Sequence, residues 1–179
     1  MKLSRQLRQL HACKEAYKWV GKKTLTEAWA TCERGDWMLW YAAKVNIDRK
    51  SLMKAACACA RLALPYLPSD ELRPARAIET AERWIDGGAT VDEVRNAADA
   101  AYAAASAYAT VAADASYAAT AAYAAASAYT VVATVTAAAA TATAAAVAVA
   151  AAGTIYNITL KRCADIVRAI IPVETLEDK

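Results

Sequence analysis

The sequence contains no phenylalanine, one histidine (His11), five glycines and four prolines among its 179 residues. A single histidine excludes metal centres that are built from several imidazoles. With so little glycine there is neither a phosphate-binding glycine loop nor a G-x-S-x-G nucleophile elbow. We therefore expect a protein that is not an enzyme and that uses no metal and no cofactor.

Charge is also missing from a large part of the chain. Residues 97–153 contain only two side chains that are charged at neutral pH, Asp99 and Asp114. Residues 1–61, in contrast, hold 13 Lys and Arg against 5 Asp and Glu, so the formal net charge of +3 is unevenly spread. This uneven distribution of charge bears on what the protein binds rather than on how it folds. It predicts that the positive N-terminal third binds an anionic partner.

The chain has five cysteines, an odd number at irregular spacing. Its first residues, "MKLSRQLRQL", carry charges where a signal peptide would be apolar. We therefore expect free thiols in a cytoplasmic protein. Cys57 and Cys59 lie too close in sequence for half of a zinc site.

Helix signals dominate the N-terminal half, and no stretch alternates for long enough to predict a strand. Apolar residues recur at steps of three and four over residues 4–20, which predicts one amphipathic stripe. Residues 24–27 and 90–93 read as capping boxes, and Asp36 and Asp48 are expected to cap two further helices.

The later helix signals complete an all-α domain of residues 1–179. A helix is expected from residue 69 to the glycine pair at 87–88, and Asn157 is expected to cap a last helix that Pro172 ends. The predicted order is short capped helices of aromatic–basic character (1–89), alanine-rich core helices (90–153), a closing helix (154–172) and a tail (173–179).

The alanine-rich tract repeats itself, since "AADAAYAAASAYATV" (97–111) returns after 21 residues as "AATAAYAAASAYTVV" (118–132). Residues 91–152 contain no Gly or Pro, and as one helix they would measure about 93 Å. A compact domain of this length has a radius of gyration of about 16 Å. The tract is therefore expected to fold back near 114–116 and 130–136 into three antiparallel segments.

Three interpretations of the tract compete. A membrane span is disfavoured because alanine has an insertion free energy near zero. An ice-binding array is disfavoured because the threonines keep no 11-residue spacing. Alanine has the highest helix propensity, and its small side chain lets helix axes approach to about 8 Å. The tract is thus predicted to be the close-packed core of a compact multi-helix bundle.

An aromatic stripe lies within "CERGDWMLWYAAKV", where Trp37, Trp40, Tyr41 and Lys44 share one helix face. The stripe is either core or one wall of a groove in which rings and cations meet an acidic partner surface or a phosphorylated ligand. Duplex nucleic acid is not expected, because acids are mixed among the cations and no DNA-reading motif occurs. The residues nearby in sequence are Trp19, Trp29, Lys14, Lys18, Lys22, Arg49, Lys54 and Arg61.

Four blocks of the sequence resemble a known family. "LTEAWATCERGDWMLWYAAKV", "RLALPYLP", "AADAAYAAASAYA" and "CADIVRAIIP" are similar to the alanine-rich immunity proteins of bacterial polymorphic toxin systems, which also occur in phage genomes. The resemblance covers about residues 10–172 and implies a small cytoplasmic helical protein that neutralises by binding. The positions that it singles out are Trp29, Arg34, Asp36, Trp37, Trp40, Asp165 and Arg168. Asp36 could equally be a helix cap, and Asp165 with Arg168 an i,i+3 ion pair.

Taken together, these patterns predict a non-enzymatic protein of the immunity type that occludes a toxin or defence effector, without a membrane. One alternative is a phage-encoded trap that holds a nucleotide-like signalling molecule in an aromatic–basic pocket. A second is a structural protein whose alanine seams join copies of the chain into a homo-oligomer. The predicted binding residues are Lys18, Trp29, Arg34, Asp36, Trp37, Trp40, Tyr41, Lys44 and Arg61.

Overall fold

The computed structural model describes residues 2–62, 64, 69–70, 72–109 and 153–177. Within these ranges the protein is helical and has no strand, which confirms the predicted all-α class. The helices are α1 (Leu3–Gln9), α2 (Lys14–Val20), α3 (Leu25–Thr31), α4 (Gly35–Lys44), α5 (Arg49–Arg61), α6 (Arg73–Ile85), α7 (Val91–Ala109), α8 (Gly153–Ile170) and α9 (Glu174–Glu177).

Short-range signals in the sequence set several helix starts. The hydroxyl of Thr24 accepts a hydrogen bond from the backbone N–H of Glu27, whose carboxylate accepts one from the N–H of Thr24, at 3.1 and 2.8 Å. Thr90 and Glu93 repeat this capping box at the start of α7. Asp48 caps α5 by accepting the N–H of Ser51 at 2.8 Å. These three predicted starts are confirmed.

Residues 4–20 form two helices, where one continuous stripe was predicted. His11 lies in the left-handed region at φ 60°. The N–H of Ala12 reaches the carbonyl of Leu7 at 2.9 Å, and that of His11 reaches Arg8 at 3.1 Å, which together make a Schellman motif. This reversal folds α2 back so that Leu7 and Val20 enter the same core.

Three other expectations about helix ends need correction. Asp36 lies inside the first turn of α4 rather than capping it, since Arg34 holds the N-cap position. Asn157 lies within α8, which already begins at Gly153. The segment predicted as a tail contains α9, whose Leu176 is buried in the main core.

Helix α5 separates two hydrophobic clusters. Leu52, Ala55 and Cys59 face a larger cluster that also takes side chains from α1 to α4, α8 and α9. Met53 and Ala56, on another face of α5, pack with α6 and the start of α7. Because both faces of α5 are covered, its small side chains determine how closely the two layers approach.

The start of α4 packs closely against α8. A Cβ atom added to Gly35 would lie 2.4 Å from the Cβ of Cys163 and 2.7 Å from the backbone nitrogen of Ala164. Only glycine fits there without displacing the α8 backbone. This contact fixes the position of α4, and with it the tryptophans that α4 carries.

The alanine-rich tract enters the described part of the chain only through α7. Val94 and Ala98 are buried against the preceding helices. The predicted core segments and reversals from residue 110 to 152 lie outside the described residues. No helix within the described ranges combines the length and hydrophobicity needed to cross a bilayer.

Candidate functional site

Two tryptophans and two cations from α2, α4 and their adjoining turns form a continuous stack on the surface. Lys23 Nζ lies 4.1 Å from the centroid of the Trp19 ring. The Trp19 and Trp37 rings meet edge to face, with centroids 6.2 Å apart and an interplanar angle of 63°. The guanidinium carbon of Arg34 lies 4.4 Å from the Trp37 centroid. We call this group, together with Asp36, the aromatic–cation surface.

Asp36 fixes the guanidinium of Arg34. Its two carboxylate oxygens accept hydrogen bonds from Nε and Nη2 of Arg34 at 2.8 and 2.6 Å, in a bidentate fork. Both side chains remain 37% exposed, so solvent screens the pair and its contribution to stability is about 0–1 kcal/mol. The fork holds the guanidinium of Arg34 over the ring of Trp37.

Lys23 is fixed in a similar way at the other end of the stack. Its ammonium donates a hydrogen bond to the backbone carbonyl of Trp19 at 2.7 Å, near the end of α2. A cation at the C-terminus of a helix interacts favourably with the exposed carbonyl groups. Lys23 was not among the predicted binding residues, although a lysine four positions after a tryptophan was a readable signal for this contact.

The predicted stripe of α4 divides between surface and core. Trp37 and Trp40 are half-buried, and Lys44 Nζ lies 6.0 Å from the Trp40 centroid, at the outer limit of a cation–π contact. Tyr41 is buried, and its hydroxyl donates a hydrogen bond to Gln6 Oε1 at 3.1 Å. Burial raises the pKa of Tyr41. Tyr41 therefore belongs to the core.

Trp29 also lies in the core. It is 6% exposed, its ring centroid is 6.4 Å from that of Tyr41, and its indole N–H is hydrogen bonded to the main chain at Ile171. A side chain held in this way contacts no partner directly. Its effect on a binding surface would come from supporting α3 and α4.

Two predicted cations are not members of the aromatic–cation surface itself. Arg61 makes a bidentate pair with Glu82, with nitrogen–oxygen distances of 2.9 and 2.5 Å, and so joins α5 to α6. Lys18 is exposed on α2, next to Trp19 in sequence. Of the predicted residues, Arg34, Asp36 and Trp37 belong to the aromatic–cation surface.

The two positions that the family resemblance singled out near the C-terminus form a clamp. Arg168 donates hydrogen bonds to the carbonyl oxygens of Trp29 and Cys32 at 2.9 and 2.8 Å, and to the carboxylate of Asp165 at 2.6 Å. Arg168 thus satisfies carbonyl groups that the end of α3 leaves unpaired. The predicted Asp165–Arg168 pair is present, and its geometry is that of a structural contact.

The buried thiols are unsuited to nucleophilic chemistry. Burial raises the pKa of Cys57 to about 12 and also raises that of Cys32. Hydrogen bonding to Cys163, followed by burial, raises the pKa of Cys59. A thiol is nucleophilic as the thiolate, so these side chains are unreactive at neutral pH. Among the described residues no cluster of His, Cys, Asp or Glu could hold a metal ion.

A surface cleft of about 320 Å³ lies between the start of α5 and the end of α8. Asp48 and Ser51 form its polar side, and Ile170 and Pro172 belong to its apolar side. Its lining contains no tryptophan, lysine or arginine. This cleft is therefore separate from the aromatic–cation surface and offers little that would recognise a phosphate.

Comparison of the chain with models of protein families, with curated proteins and with solved structures finds no match. In its described part, the chain is an all-α protein with a partly exposed surface of tryptophans and cations. The immunity-protein resemblance rests on the four sequence blocks quoted above.

Proposed function

We propose that the protein is a non-enzymatic binding protein of the immunity type, which neutralises a toxin or defence effector by occluding it. The observation that supports this role is the aromatic–cation surface, where Trp19 and Trp37 are half-buried and held by Lys23 and Arg34. Tryptophan and arginine are enriched among residues that dominate binding energy. Side chains already held in place lose little entropy when a partner binds.

The geometry favours a protein partner over a nucleotide-like molecule. A nucleobase would need an open ring face for stacking, whereas one face of Trp19 and one of Trp37 are occupied by the chain's own cations. The described cleft between α5 and α8 has neither an aromatic ring nor a cation in its lining. Aromatic and arginine side chains, which make up much of this surface, are enriched at protein interfaces.

The direct test measures binding to the product of a neighbouring gene. Both proteins are purified, and the dissociation constant is obtained by calorimetry. Arg34→Ala removes the guanidinium that lies on Trp37, and we expect it to weaken the complex about tenfold, which corresponds to about 1.4 kcal/mol. In a co-expression assay, the same substitution should reduce protection against the toxic partner.

The chain provides a matched control for this test. Arg61 also makes a bidentate pair with a carboxylate at similar exposure, 45% against 37% for Arg34, but joins α5 to α6. Arg61→Ala should leave the affinity within about twofold. Failure of the wild-type protein to bind any neighbouring gene product would overturn the proposal. A thermal shift with cyclic nucleotides would then favour the nucleotide trap.

A further inference from the structure

Helix α2 and the turn after it present an edge of three lysines. Lys14 and Lys18 are one helical turn apart, and both lie opposite the side of α2 that buries Ala16 and Val20. Lys22 follows in the turn and is also exposed. We call Lys14, Lys18 and Lys22 the lysine edge.

Two features of this arrangement are unfavourable for the fold. Like charges one turn apart destabilise a helix by about 0.2–0.5 kcal/mol. Lys14 is the first residue of α2, where the helix dipole disfavours a cation. Arg34, Arg61 and Arg168 each pair with a carboxylate, whereas no lysine of the edge pairs with a carboxylate of the described residues.

The lysine edge adjoins the aromatic–cation surface along the chain. Lys18 directly precedes Trp19, and Lys22 directly precedes Lys23. Exposed lysines attract an acidic partner over a long range, and tryptophans held in place beside them in sequence can then make close contacts with it. Functional surfaces commonly retain groups that lower the stability of the free protein.

We infer that the lysine edge and the aromatic–cation surface together bind a carboxylate-rich surface of the partner protein. This inference rests on the proposed function and specifies the chemistry of its partner. Acidic side chains of a folded partner complement the lysines without requiring an open ring for stacking. No DNA-reading motif accompanies these cations in the sequence, which makes nucleic acid the poorer match.

A short poly-L-glutamate peptide serves as the first probe, with a single-stranded oligothymidylate of equal charge for comparison. We expect the protein to bind the peptide more tightly, with an affinity that falls as ionic strength rises towards about 0.15 M. The triple substitution Lys14→Glu, Lys18→Glu and Lys22→Glu should weaken peptide binding at least tenfold. Tighter binding of the oligothymidylate would overturn the inference in favour of nucleic acid.

Helix α5 supplies a control with the same change in charge. Arg49, Lys50 and Lys54 are exposed and have no tryptophan beside them in sequence. Changing all three to Glu should leave the affinity for the peptide within about twofold of the wild-type value. If both triple variants lose the same affinity, net charge alone explains the loss and the inference is overturned. Circular dichroism checks the fold, and Lys14→Gln, Lys18→Gln and Lys22→Gln provides a milder variant that should also lose binding.

The two proposals can fail separately. If the lysine-edge variant binds the toxic partner with unchanged affinity, the inference is overturned while the immunity role stands. If the wild-type protein binds poly-L-glutamate through the lysine edge but binds no neighbouring gene product, the immunity role is overturned and the acid-binding surface stands.

Discussion

The indole N–H of Trp29 donates a hydrogen bond to the backbone carbonyl of Ile171 at 3.1 Å, across 142 positions of sequence. Arg168 adds two hydrogen bonds to the same end of α3, at the carbonyls of Trp29 and Cys32. The N-terminal helices that carry the candidate surface are therefore held by the C-terminal segment. Truncation before α8 would remove both contacts.

Trp29→Phe tests how much the hydrogen bond from Trp29 to Ile171 contributes to the free energy of unfolding. The substitution leaves the carbonyl of Ile171, a residue only 1% exposed, without its donor and opens space in the core. We expect the free energy of unfolding to fall by about 2–4 kcal/mol, measured from urea denaturation. Trp84→Phe is the control, because Trp84 is half-buried at the smaller cluster, and it should cost clearly less. Equal losses would contradict a special role for the hydrogen bond.

Gly35→Ala is expected to be among the most damaging single-methyl additions. The new Cβ would lie 2.4 Å from Cys163 Cβ and 2.7 Å from a backbone nitrogen of α8, which cannot move without displacing the helix. Overpacking of this kind costs about 1–3 kcal/mol, and thermal unfolding would measure it. Gly88→Ala is the matched control, since its nearest contact would be an ordinary 3.5 Å, and it should be neutral or slightly stabilising.

His11 offers a test of backbone conformation without a change in contacts. At φ 60°, a β-branched side chain is strongly disfavoured, whereas glycine adopts this conformation freely. We expect His11→Val to be less stable than His11→Gly by about 1–2 kcal/mol in denaturant titrations. Near-identical stabilities for the two variants would show that the Schellman turn between α1 and α2 does not persist in solution.

The sequence was sufficient for local features of the fold. The capping boxes at Thr24 and Thr90 depend on residues three positions apart, so their spacing alone predicts them. The reversal at His11 was not predicted, because a non-glycine residue in the left-handed region carries no strong local signal. The spacing of apolar residues is continuous over residues 4–20 and therefore favoured one helix, whereas the chain forms two.

The candidate site was harder to predict than the helices. The spacing of residues along a helix shows which side chains share a face, but it does not show which other helix packs against that face. Trp37 and Tyr41 share a face of α4 in the sequence pattern, yet Trp37 reaches the surface stack while Tyr41 is buried. The contact between Trp19 and Trp37 depends on how α2 returns after His11, which is tertiary information. Arg168 and its carbonyl partners at the end of α3 are likewise far apart in sequence.

Thiol reactivity should distinguish one cysteine from the rest. Cys13 is exposed, whereas the other four cysteines are buried. We expect one thiol per chain to react rapidly with DTNB in the native state and the remaining four to react only on unfolding, because the reagent does not reach buried thiols. Cys13→Ser should abolish the rapid phase. A second rapid thiol in that variant would contradict the described burial.

The helix cap at Asp48 predicts a dependence of stability on pH. Hydrogen bonds from the backbone and hydroxyl of Ser51 hold the pKa of Asp48 below its usual range. Because the folded-state pKa of Asp48 is the lower one, the cap stabilises the fold fully above the unfolded-state pKa of about 3.9. This stabilisation is lost as pH falls through the folded-state pKa.

Two substitutions of Asp48 test this dependence. Asp48→Asn keeps a capping oxygen without a charge, so it should remove this part of the acid sensitivity. Asp48→Ala should instead cost about 1 kcal/mol already at neutral pH. Urea midpoints measured from pH 7 to below pH 3 would separate the three proteins, and identical acid sensitivity in wild type and Asp48→Asn would exclude the carboxylate as its source.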